Sequence, residues 1–147
     1  MLSKTCDIEY IASKEKYTAL LKDLHISRIL YYMVLALFGI FLGKGFLGFN
    51  LPDTLGYIVF FGILGINFIV AQLINDIADQ KSDRINKNNT PLVTEILTQK
   101  EYITLSIIGF FIVVIGALSI NKNTLILMVL MQIISILYSC KPFRLKR

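Results

Sequence analysis

The sequence predicts an all-α, polytopic bundle of about four transmembrane helices, and three observations predict it. Of its 147 residues, 55% are hydrophobic and only 17% charged, with a mean hydropathy of +0.66, far from the balance of a soluble domain. Four runs carry no charged side chain: Ile29–Gly43, Thr54–Asn75, Tyr102–Asn121 and Asn123–Cys140. As helices they match, or nearly match, an apolar layer of about 30 Å. Lysine and arginine gather in alternate connections, with five before the first run, four between the second and third and four after the fourth. The two other connections hold only Lys44 and Lys122.

Residues 1–24 carry charges throughout and are expected to form a cytoplasmic or interfacial amphipathic segment rather than a signal peptide, leaving 25–147 as the transmembrane domain. The first span is the shortest; Lys44 interrupts it, and the apolar stretch resumes at Gly45 while the lysine stem snorkels toward the interface. The positive-inside bias places both termini and the polar connection after the second span in the cytoplasm of a cell or other bioenergetic membrane. It also accounts for the net charge of +5 through attraction to anionic lipid, so no nucleic-acid partner is expected. Cys6 and Cys140 fall on that reducing side without neighbouring histidines and imply neither a disulfide nor a zinc site. His25, the only histidine, reads as a polar boundary residue.

The polar connection runs from Arg84 to Glu101. Asn86, Asn88 and Asn89 precede Thr90-Pro91, and proline pushes the residue before it out of helical geometry, so the second helix is expected to end by about Asn89. Leu92-Val93 and Ile96-Leu97 suggest a short interfacial helix. Thr98, with Glu101 three residues later, has the spacing of a capping box for the third span.

The chemistry gathers at the end of the second span, in Asn75-Asp76-Ile77-Ala78-Asp79-Gln80-Lys81-Ser82-Asp83. At roughly 100° per residue, Asn75, Asp76, Asp79 and Asp83 fall within an arc of about 100° along roughly 12 Å of helix axis. Gln72 extends the same stripe one turn deeper. Three carboxylates and an amide are hard oxygen donors, which suit Mg²⁺ shared with waters and the phosphate oxygens of a substrate. The bland alternative is a solvated helix end, with the aspartates paired to Arg84 or Lys87 at helical spacing.

These residues resemble the first aspartate-rich motif of the UbiA-superfamily prenyltransferases, Asn-x-x-x-Asp-x-x-x-Asp, matched by Asn75, Asp79 and Asp83, with Asp76 in the frequent Asn-Asp opening. Asn86 and Pro91-Leu92 also match. A second block, Leu137-Tyr138-Ser139 with Pro142-Phe143-Arg144-Leu145-Lys146-Arg147, is similar to the stretch that closes the family's fourth helix. The resemblance covers about Ser27 to Arg147 and implies the amino-terminal part of a nine-helix fold.

The resemblance implies transfer of an isoprenyl group from a polyprenyl diphosphate to an aromatic or other lipid-soluble acceptor, with Mg²⁺ as cofactor. It implies Asn75, Asp76, Asp79 and Asp83 as metal ligands and Gln72, Arg84, Tyr138, Lys141 and Arg144 as substrate contacts. Thr90 stands where the family often has arginine, and Pro142 stands four residues after Tyr138 where many members have lysine, with Lys141 beside it. The family's second aspartate-rich motif has no counterpart by Arg147. Two readings therefore stay open: a prenyltransferase polypeptide whose remaining helices come from a second chain, from oligomerisation or from a part of the protein outside this sequence, and a non-catalytic membrane protein that binds metal or lipid phosphate or serves as a partner subunit. Carboxylates at one mouth, with none at mid-membrane, make a channel or transporter the weaker third.

Overall fold

The computed structural model describes residues 14–47, 54–86 and 88–139 and builds them from five helices: α1 (Lys14–Asp23), α2 (Ile26–Leu47), α3 (Thr54–Ile85), α4 (Gln99–Ile120) and α5 (Lys122–Ser139). No strand occurs among the described residues. By length and composition α3, α4 and α5 are each able to cross a membrane, and α1 with α2, bent by 51° at their junction, adds a fourth candidate. Cys6, Lys87, Cys140, Lys141 and Arg144 lie outside the described residues.

α3 is the hub, packing most extensively on α4, then on α5 and least on α2. Two clusters hold these helices. Phe60, Ile63, Leu64, Val113, Ala117 and Met128 bury one end of the bundle; Leu73, Leu92, Leu97 and Tyr102 bury the end that carries the polar connection. Small residues set the spacing of α3 and α4. A Cβ added at Gly109 would lie 2.5 Å from Val70 Cγ2, so the backbone there approaches as only glycine allows. The outer faces of α4 and α5 stay apolar, with Phe111, Ile115, Leu118 and Ile134 all exposed, as helices facing lipid require.

Helix ends follow local side-chain chemistry. Thr98 and Glu101 form the expected capping box, the Thr98 hydroxyl accepting from the Glu101 N–H and Glu101 Oε2 accepting from the Thr98 N–H at 2.7 Å. Asn121 closes α4 and starts α5: its N–H donates to Ala117 O, while its Oδ1 accepts from the Thr124 N–H and hydroxyl. One extended residue thus turns the chain back on itself.

α3 ends at Ile85, inside the expected limit of about Asn89, where the Asn88 N–H and side chain both bind Asp83, at its carbonyl and its carboxylate. One expectation is corrected. The segment after Pro91 is a series of turns, not an interfacial helix. Val93 and Thr94 donate to Thr90 O, but Glu95 takes a φ of 61° and the Leu97 N–H reaches back to Pro91 O, which ends the helical turn after one step. Pro91, Leu92 and Leu97 are buried, so this segment seats its leucines against α3 and α4.

Candidate functional site

The acidic stripe of α3 lies where α1, α3, α4 and α5 come together. Asp79 is 9% exposed, Asn75, Asp76 and Asp83 are half-buried, and each is on one continuous helix, as the spacing predicts. The neighbours come from far away in the chain. Ser139, buried near the end of α5, donates from its Oγ to Asn75 Oδ1 at 3.3 Å. Asn88 donates to Asp83 Oδ1 at 2.9 Å. Asp23, the last residue of α1, lies close enough to Asp76 and Asp83 for its charge to act on both, and Asp79 and Asp83 act on Asp76 in the same way.

Asp23 is itself anchored. Gln72 Nε2 donates to its backbone carbonyl at 2.6 Å, and the hydroxyl of the fully buried Tyr102 donates to its Oδ2 at 3.4 Å. Gln72, expected on the stripe as a substrate contact, is thus engaged in fastening α1. Arg84 is ion-paired with Glu95 at 3.0 Å in an exposed position, and Tyr138 is exposed on α5.

The donor set has the chemistry that Mg²⁺ takes. Among the described residues no group of three or more His, Cys, Asp or Glu side chains is gathered tightly enough to hold a metal ion. A single straight helix spaces its carboxylates along its axis, so one or two of them, with waters and phosphate oxygens, are what this stripe is able to offer one ion.

Two turns and more before the stripe along α3 lies an apolar groove of about 460 Å³ between α2, α3 and α5, whose walls include Tyr32, Gly39, Phe60, Leu64, Phe68 and Met131. The Tyr32 and Phe68 rings stack with centroids 4.5 Å apart. Phe68 precedes Asn75 by seven residues, about 10 Å along the helix.

Sequence reasoning missed Asp23, Tyr102 and Ser139. No periodicity links them to the stripe, since the contacts that bring them in span 49 to 79 residues. Ser139 alone carried a signal, as part of the second block.

The comparisons with known proteins agree with this architecture. A solved structure of digeranylgeranylglyceryl phosphate synthase is similar with a TM-score of 0.75 and 25% identity, over 86% of this chain and 44% of that one. The chain therefore spans less than half the length of that neighbour. No curated protein matches it. The model of the UbiA prenyltransferase family matches residues 32–147, from the first turns of α2 through both sequence blocks, and the chain belongs to that family.

Proposed function

We propose that the chain supplies the first-motif half of a Mg²⁺-dependent membrane prenyltransferase site, which takes a polyprenyl diphosphate and passes its isoprenyl group to a lipid-soluble acceptor. The observation that carries this reading is the meeting of the Asn75–Asp83 stripe with Ser139 of the second block, on a helix whose earlier turns line an apolar groove. Bound Mg²⁺ would offset the charge that builds on the leaving diphosphate. Asp79 and Asp83 are the principal carboxylates for it, with Asn75 and Asp76 beside them. Arg84, Lys141 and Arg144 are assigned to the diphosphate, Arg84 after release from Glu95. The groove lined by Phe60, Leu64 and Phe68 takes the isoprenyl chain and keeps water from the allylic carbon as the C–O bond breaks. Gln72 and Tyr138 border the site. Both termini and the acidic end face the cytoplasm, on the alternation of Lys and Arg.

The test is Mg²⁺-dependent binding of geranylgeranyl diphosphate to the chain in nanodiscs, with diphosphate release followed in the same samples. Asp79→Ala and Asp83→Ala are each expected to weaken binding at least about tenfold, the range of losing one ligand of a metal–phosphate site. Release by the wild type establishes turnover, and binding without release assigns the chain to the binding-subunit class. Equal binding by wild type and both variants sinks the site.

A further inference from the structure

Three contacts fasten α1 at the acidic end of the bundle. Gln72 of α3 holds the Asp23 carbonyl at 2.6 Å, Tyr102 of α4 holds the Asp23 carboxylate at 3.4 Å, and Lys16 pairs with Glu101 of α4 at 2.8 Å. The chain then turns sharply. Leu24 is buried, and His25 takes a φ of 40°, the left-handed conformation that a side chain with a Cβ disfavours, before α2 departs at 51° to α1. The junction next to the docked α1 thus holds an unfavourable turn.

The docked helix delivers a carboxylate to a place already rich in them. Gln72 stands one turn before Asp76 on the same face of α3, so the residue it holds brings a carboxylate to the start of the stripe, near enough for the charges of Asp23, Asp76 and Asp83 to act on one another. Like charges at this range repel, and the repulsion opposes docking unless positive charge sits among them.

Resting on the reading of the stripe as a divalent-cation site, we propose that Asp23 is a positioning residue of that site: through Gln72 and Tyr102 it ties α1 to α3 and α4, so that cation binding and the docking of α1 strengthen each other. A loaded stripe draws α1 down over its end; an empty one lets it loosen. Linkage requires the effect to be reciprocal, so whatever loosens α1 also weakens the cation. Asp23 acts on substrate only through this placement.

Mn²⁺, read directly by its electron paramagnetic resonance signal, is the probe for the full chain in nanodiscs, with hydrogen exchange of residues 14–24 measured in the same samples at pH 7.5. In the wild type, saturating Mn²⁺ is expected to slow exchange in 14–24 about fivefold or more, the low end of ordinary site-to-site coupling. Asp23→Asn keeps an oxygen for Tyr102 but removes the charge. It should protect α1 without metal, abolish the metal effect and weaken Mn²⁺ several-fold. Tyr102→Phe leaves every carboxylate in place and should still weaken Mn²⁺ while raising exchange in α1. Mn²⁺ that binds in an Asp79-dependent manner, yet leaves exchange in 14–24 unchanged and binds Asp23→Asn as tightly as wild type, overturns the coupling and spares the site. Failure of Asp79-dependent Mn²⁺ binding overturns the site and the coupling with it.

Discussion

Ser139 Oγ donates to Asn75 Oδ1 across the α3–α5 contact, joining the first residue of the acidic motif to the second sequence block over 64 positions. The amide is thereby turned by a helix that carries none of the carboxylates. Ser139→Ala frees Asn75 to rotate and should cost about 1 kcal/mol of stability, the ordinary worth of one neutral hydrogen bond. It should also weaken Mg²⁺-dependent diphosphate binding by a few-fold. Asn75→Ala, which removes the amide itself, should weaken it further, and titration of both variants with geranylgeranyl diphosphate checks the order.

The Thr98–Glu101 capping box starts α4 beside the buried Tyr102, so its loss is felt where α1 docks. Thr98→Ala should destabilise the bundle by about 1 kcal/mol, as N-cap removals do. Glu101→Gln keeps the cap geometry but discharges the partner of Lys16, an exposed pair worth well under about 1 kcal/mol. Unfolding in mild detergent should therefore rank Thr98→Ala as the more harmful of the two.

What the sequence made legible was what lies on one helix or in one turn. The stripe from Gln72 to Asp83 needs only the helical period, and Thr98 needs only Glu101 three residues on. The end of α3 was legible as a limit set by Thr90-Pro91, and its place within that limit follows from Asn88, which binds the backbone and carboxylate of Asp83. The contacts of Asp23, Tyr102 and Ser139 were not legible at all. Helices that are apolar on every side give no hydrophobic face to say which partner they meet, and in lipid the fit of small side chains decides instead.

Glycines test that fit directly. At Gly109 a methyl group would lie 2.5 Å from Val70 Cγ2, whereas at Gly62 nothing lies within 4 Å. Gly109→Ala should force α3 and α4 apart and cost about 1–3 kcal/mol, the usual penalty of overpacking. Gly62→Ala meets open space on α3 and should be neutral or stabilising by up to about 1 kcal/mol through helix propensity. Thermal unfolding of the two single variants in the same detergent checks the contrast, and equal losses would mean that α3 and α4 do not approach as closely as described.

Asn67 and Gln132 lock α3 to α5 in the apolar interior, both 3% exposed or less. Gln132 Nε2 donates to Asn67 Oδ1 and, at 3.1 Å, to Asn67 O, while Gln132 Oε1 has no hydrogen-bond partner. An unpaired buried acceptor is costly, so the lock gives back part of what its bonds contribute. Gln132→Met removes both the donor and the unpaired oxygen but strands the Asn67 side chain, and should destabilise by about 1–2 kcal/mol. Asn67→Leu removes the Oδ1 acceptor but keeps the backbone carbonyl that Gln132 Nε2 also reaches, and should cost a similar amount. The double variant leaves no polar group unpaired and should fall short of the sum of the singles by roughly 0.6–1.7 kcal/mol, the coupling found for hydrogen bonds between membrane helices. Strict additivity in a double-mutant cycle would mean that the two amides do not hold each other and that α5 is placed by apolar packing alone.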